Sequence, residues 1–138
     1  MTDPASLRAR LADVRDRIAR AAGRSIDLLA QVDLAGEPSK HGAHTSQLPA
    51  LFEAATGLGA ARFVGLMLLP PAVEDAEQAR PFFRAIRTLR DELVERGVAR
   101  SMLGDLSMGM SHDFEIAIEE GATLIRVGTA IFGRRPGG

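Results

Sequence analysis

The chain has 138 residues, enough for one domain with a core but short of the roughly 200 or more that a complete (β/α) barrel needs. A formal charge of −1 argues against a nucleic-acid-binding surface, and the absence of cysteine excludes disulfides and thiolate metal sites. The longest uncharged apolar run, within residues 63–72, is too short to cross a bilayer, and no apolar signal segment opens the chain, so a single cytoplasmic domain over residues 1–138 is expected.

The first predicted element is an amphipathic helix over residues 5–24. Four apolar side chains recur on one stripe at intervals of three or four residues: Leu7, Leu11, Val14 and Ile18. Gly23 supplies a typical helix end.

After this helix the chain alternates predicted strands and helices. The predicted order is strand 26–34, helix within 46–56, strand within 61–71, helix within 74–96, strand within 101–109, helix 112–120 and strand within 123–133. The buried side of the long helix is predicted to comprise Phe83, Ile86, Leu89, Leu93 and Val94. Such alternation predicts an α/β fold with four parallel strands and right-handed crossovers.

Two glycine turns follow the last two predicted strands. Gly109 and Ser111 follow one of them, and Gly128 and Thr129 lie near the end of the other. Parallel sheets bind ligands at the carboxyl ends of their strands, and in (β/α) barrels the last two loops commonly hold a phosphate. Ser111 stands at the expected N-cap of a helix, where free amides favour an anion, although Asp113 competes there. Alternatively, Ser111 and Asp113 only cap a helix and the glycines only permit turns.

Arg126 is predicted to point inward toward the same end of the sheet. Strand alternation places Leu124, Arg126 and Gly128 on one face. A buried guanidinium needs an anionic or electron-rich partner. That partner is either a ligand or a carboxylate such as Asp105 or Asp33.

Three stretches carry a resemblance to a known family: QVDLAGEPSKHG, GLMLLPP and LSMGMSHDFEIAIEEGATLIRVGTAIFG. They resemble the C-terminal half of the YggS-like pyridoxal phosphate homeostasis proteins, which are relatives of the alanine racemase N-terminal barrel. The resemblance covers residues 26–135, and helix 5–24 resembles the family's N-terminal helix. In the family that helix leads to a strand with the Schiff-base lysine and to three further βα units. Here Arg24 and Ser25 lead directly into strand 26–34, which implies half of a TIM-type (β/α) barrel with an internal deletion.

The resemblance also implies a ligand and a set of residues that bind it. Pyridoxal 5'-phosphate would lie with its phosphate on Met110, Ser111, Gly128 and Thr129 and with Arg126 facing the pyridine nitrogen. An arginine there disfavours protonation of the ring, which suits a carrier better than an enzyme. Without the Schiff-base lysine, binding is expected to be weak and non-covalent.

The remaining lysine and the histidines are given minor roles. Lys40, the chain's only lysine, matches a loop lysine of the family or is simply solvated. His41 and His44 lack a third ligand, so no metal site is expected, and His112 is interpreted as a helix-start residue.

Two functions therefore remain open, and neither is enzymatic. The first is non-catalytic binding of pyridoxal phosphate or a related phosphate ester. The alternative is a degenerate fragment that acts only in self-association or protein interaction. Open sheet edges favour a two-fold homodimer, although an open four-stranded sheet covered by the N-terminal helix satisfies the same pattern.

Overall fold

A computed structural model describes residues 4–34, 42–57 and 59–134 of the chain. Its helices and strands are α1 (Pro4–Ala22), β1 (Ile26–Val32), α2 (Leu48–Ala55), β2 (Ala61–Leu68), α3 (Arg80–Glu95), β3 (Asp105–Ser107), α4 (Phe114–Glu119) and α5 (Thr129–Phe132). Short 3₁₀ turns precede α2, α3 and β3. The predicted α/β alternation is confirmed up to α4. Lys40 and His41 lie outside the described residues.

The described strands form one parallel sheet in the order β1-β2-β3. β1 pairs with β2 from Ile26 opposite Ala61 to Val32 opposite Leu68, with a bulge after Leu28. β2 meets β3 where Gly65 lies opposite Asp105. A Cβ atom on Gly65 would lie 1.9 Å from the backbone oxygen of Asp105, so these two strands approach as closely as they do because residue 65 has no side chain.

The fourth predicted strand, within residues 123–133, is not confirmed in the described part of the chain. One parallel bridge joins Ser107 to Leu124, and the Arg126 N–H donates to the carbonyl of Gly109 at 2.9 Å. The chain then turns into α5 instead of continuing as a strand. Leu124 is 45% exposed, so this edge lacks the packing that extends a strand.

The helices cover one face of the sheet. Phe52 of α2 packs edge-on against Phe63 of β2, with ring centroids 5.7 Å apart. α1 contacts α2 and β2, and its Leu11 joins the same core. The predicted face of α3 is confirmed, because Phe83, Ile86 and Leu93 are buried and Leu89 and Val94 are partly buried against the core.

The opposite face of the sheet carries no such layer among the described residues. On β1 and β2 its side chains alternate with those of the core and are half-buried or exposed: Asp27, Leu29, Gln31, Arg62, Val64 and Met67. On β3, Ser107 lies opposite Met67 and is buried. Asp27 accepts a hydrogen bond from the Arg62 guanidinium at 2.9 Å across this face. Over β1 and β2 the sheet is therefore covered by helices on one side only.

Candidate functional site

A cavity of about 610 Å³ lies beyond the carboxyl ends of β2 and β3. One wall, residues 70–73, follows β2, and the other, residues 110–113, follows β3. Gly128, Thr129 and Phe132 also line the cavity. Four of the five predicted site residues, Met110, Ser111, Gly128 and Thr129, thus meet around one space.

The wall after β3 is a turn that is held by hydrogen bonds between its own residues. Gly109 has a φ of +102°, and the turn places the Asp113 N–H 3.0 Å from the carbonyl oxygen of Met110. In return, Oδ1 of the buried Asp113 accepts the Met110 N–H at 2.8 Å. Met110 therefore offers the cavity its half-exposed side chain rather than its amide.

The expectation that Ser111 caps the following helix is wrong. The N-cap residue of α4 is Asp113, and the Ser111 hydroxyl is used elsewhere. Ser111 Oγ accepts the N–H of Gly128 at 3.2 Å and that of Ala130 at 3.0 Å. Both acceptor positions of the hydroxyl are thus filled, which leaves its hydrogen as a donor. A single oxygen joins the two loops that the sequence placed at the site.

Further donors lie on the same walls. Within the described residues, the backbone N–H groups of Ser111, His112 and Thr129 have no acceptor, and all three residues line the cavity. Peptide N–H groups require acceptors, and an anion supplies several at once. This end of the cavity is consequently rich in donors, with the Asp113 carboxylate as the opposing charge.

Arg126 does not adopt the predicted buried position. Its side chain is exposed, it does not line the cavity, and it forms no ion pair with any residue that the structure describes. Asp105, one of the two predicted partners, accepts the Thr123 hydroxyl at 3.0 Å instead. The alternative of a buried ion pair is therefore wrong, whereas an arginine facing a ligand's ring stays a prediction.

One wall of the cavity and a nearby ion cluster are absent from the predicted site. Pro70 and Pro71 fall within the segment predicted as a strand, yet they follow the carboxyl end of β2, where parallel sheets bind ligands. Glu120, buried at the end of α4, gave no sequence signal beyond its charge. Its partners are arginines of α3, and only the packing of α3 beside α4 brings them close to Glu120.

The described residues contain no group of three or more His, Cys, Asp and Glu side chains arranged to hold a metal ion. His44 serves as a cap, because its Nδ1 accepts the Ser46 N–H at 3.2 Å ahead of α2. None of the helices described combines the length and the apolar character needed to span a membrane.

Residues 8–136 match the family described as alanine racemase, N-terminal domain, and the chain belongs to that family. Within it, the chain is similar to proteins named pyridoxal phosphate homeostasis protein. It is 51% identical to the one from Aquifex aeolicus over 110 residues, covering 79% of this chain and 47% of that protein. The Pseudomonas aeruginosa protein is 45% identical over 111 residues, covering 80% of this chain and 45% of that protein. The chain thus spans about half the length of these relatives.

Solved structures of PipY from Synechococcus elongatus share the fold. PipY without pyridoxal phosphate is 39% identical with a TM-score of 0.77, covering 88% of this chain and 56% of that chain. PipY with pyridoxal phosphate bound is 32% identical with a TM-score of 0.76, covering 96% of this chain and 68% of that chain. The fold is therefore that of part of a TIM-like alanine racemase N-terminal domain.

Proposed function

We propose that this chain binds pyridoxal 5'-phosphate through its phosphate group, without a covalent bond and without catalysis. Support comes from the family, from the names of its relatives and from the neighbour that holds this ligand. Because the chain spans about half of those proteins, the proposed activity is binding alone.

The observation that carries this proposal is the set of donors at one end of the cavity. Three backbone N–H groups and the Ser111 hydroxyl hydrogen are available there, and the Ser111 oxygen already accepts two amides. Such a site favours a ligand group made only of acceptors, as a phosphate dianion is. The wall formed by residues 70–73 is mainly apolar and suits a flat organic body attached to that phosphate.

The same contacts argue against catalysis. Covalent catalysis needs a nucleophile activated by a positioned base. The Ser111 oxygen is occupied by two amides, Asp113 Oδ1 by a third, and the exposed His112 has no partner in the described chain to orient it. The only lysine, Lys40, is matched to a loop position rather than to the Schiff-base lysine.

Titration with pyridoxal phosphate is expected to give weak, saturable binding that inorganic phosphate displaces, because the proposed contacts are made by the phosphate. Absorbance of the ligand and competition by inorganic phosphate measure this. Borohydride reduction followed by peptide mapping should reveal no stoichiometric pyridoxyl peptide from the cavity. An adduct confined to Lys40 would make that lysine a secondary anchor, and binding that is insensitive to phosphate would contradict the proposal.

Thr129→Val serves as the matched variant in this titration. It keeps the shape of a residue that lines the cavity and removes one hydroxyl, so affinity should fall by about 1–3 kcal/mol with little change in Tm. Thr56→Val is the control, because that hydroxyl donates to the carbonyl of Phe52 at 3.1 Å, away from the cavity. If both variants bind equally well, the Thr129 hydroxyl makes no contact with the ligand, and the backbone N–H groups and the Ser111 hydroxyl must account for the binding.

We further propose that two copies of the chain associate through the uncovered side of the sheet. Over β1 and β2 this side has no second layer among the described residues. Apolar side chains that follow β3 are also exposed: Leu124, Ile131 and Phe132 are 45%, 65% and 84% exposed. A second copy is the partner that fits, because the open edges and the uncovered face of one copy are matched by those of another. A two-fold axis along the strands would join parallel edges of the two copies into a closed structure.

Light scattering at micromolar concentration is expected to give about twice the chain mass of 14.7 kDa. Leu124→Lys should give the monomer mass, because a charge would enter the apolar contact. Val14→Lys, which alters a residue of α1 that is 37% exposed, is the control and should leave the mass doubled. A folded monomer of the unmodified chain at every concentration would rule out the homodimer.

A further inference from the structure

An ion cluster lies between α3 and the C-terminal end of α4. The Glu120 carboxylate is almost fully buried and forms ion pairs with three arginines that lie along one side of α3. Its oxygens are 2.9 Å from Nη1 of Arg80, 3.2 Å from Nε of Arg84 and 3.4 Å from Nη2 of Arg87. Hydrogen bonds from Arg84 and Arg80 hold the pKa of Glu120 below its usual range, so the carboxylate stays ionised.

Arg80 extends the cluster toward the segment that precedes α3. Its Nε and Nη2 donate to the two carboxylate oxygens of Glu77 at 2.8 and 2.9 Å, and Nη2 lies 3.3 Å from Glu119. One guanidinium therefore bridges a residue ahead of α3 and two residues at the end of α4. Because the guanidinium is planar and donates two parallel hydrogen bonds to Glu77, it fixes the orientation of the bound carboxylate as well as its distance.

The two ends of this bridge lead to the two walls of the cavity. Glu77 and Arg80 follow the wall at residues 70–73 within a few residues. Glu120 is the C-cap residue of α4, and its N–H donates to the carbonyls of Ile116 and Ala117 within that helix. The wall at residues 110–113 immediately precedes the same helix. A helix of six residues is about 9 Å long and stiff, so a constraint on its C-cap residue also constrains its first turn.

We propose that Glu120 and Arg80 are positioning residues that set the separation of the two cavity walls. They thereby select a phosphate ester with an organic body over phosphate alone, an inference that rests on the proposed function. The donors on residues 111, 112 and 129 are sufficient to bind inorganic phosphate. A phosphate ester must also contact residues 70–73, so only the affinity for the ester depends on the distance between the walls.

Glu120→Gln tests this with two probes, pyridoxal phosphate and inorganic phosphate. The affinity for pyridoxal phosphate should fall by about 3- to 30-fold, the range expected when a connected network is weakened. The affinity for inorganic phosphate should stay within about twofold, because its proposed donors do not involve this cluster. Asp91→Asn is the control, since Asp91 pairs with Arg90 on the same helix at 2.7 Å and does not line the cavity.

Arg80→Lys keeps the charge but loses the planar guanidinium, and it provides a second test if circular dichroism shows that Glu120→Gln is unfolded. The same selective loss for pyridoxal phosphate is expected. Equal losses for both probes, or no loss for pyridoxal phosphate, would overturn the positioning role and leave the proposed function intact. Failure of the unmodified chain to bind either probe would overturn the proposed function and the positioning role together.

Discussion

Gly65→Ala is expected to lower the free energy of unfolding by about 3 kcal/mol, because the added methyl group would force β2 away from β3. The new Cβ would lie 1.9 Å from the backbone oxygen and 2.6 Å from the backbone carbon of Asp105. Neither atom belongs to a side chain that can rotate aside, so relief requires breaking the pairing of Gly65 with Asp105. Urea unfolding followed by circular dichroism measures the loss.

Gly59→Ala is the control for this substitution. It lies just ahead of β2, and a Cβ there would meet nothing within 4 Å. Its stability should change by less than about 1 kcal/mol, and the direction can be favourable because alanine restricts the unfolded chain. If the two variants lost equal stability, the close approach of β2 and β3 would not be what makes residue 65 a glycine.

Periodicity was sufficient to predict the elements that have a layer to pack against. The spacing of Phe83, Ile86 and Leu93 identified the buried face of α3. These signals are local consequences of burial on one side, which the sequence records directly. The parallel direction of the three strands followed from their alternation with helices.

The failures of prediction lie at the open edge of the sheet. Residues 123–127 alternate as a strand does, yet the structure forms one bridge there, and Leu124 and Arg126 are exposed. Alternation predicts which side chains share a face but not whether anything covers that face. Among the described residues nothing covers Leu124 and Arg126, so side chains that the pattern directs inward face solvent instead.

For the candidate site, the glycine turns predicted which loops meet but not the hydrogen bonds between them. The expected N-cap at Ser111 followed a local rule for helix starts. The hydroxyl instead reaches Gly128 and Ala130, which are 17 and 19 residues away in sequence. Such a bond depends on how two loops are juxtaposed, and only the tertiary structure determines that.

Gly109→Ala is expected to abolish measurable binding of pyridoxal phosphate and to destabilise the chain by about 3 kcal/mol, through two separate effects. The first is backbone strain, because Gly109 has a φ of +102°. The second is steric, because a Cβ would lie 2.7 Å from that of Ala117 and 3.2 Å from Cα of Phe114. Since both neighbours belong to α4, the turn at residues 110–113 must shift, and with it Ser111 and its hydrogen bonds to Gly128 and Ala130.

Gly97→Ala separates the two effects of Gly109→Ala. Gly97 has a φ of +105°, almost the same as Gly109, but a Cβ there would meet nothing within 4 Å. Gly97→Ala should therefore show the strain alone, about 1–2 kcal/mol, and bind pyridoxal phosphate like the unmodified chain. Urea unfolding and the phosphate-competition titration on both variants supply the comparison. Equal stability losses with ligand binding retained in both would mean that α4 does not hold the turn in place, and that the cavity wall tolerates displacement at Gly109.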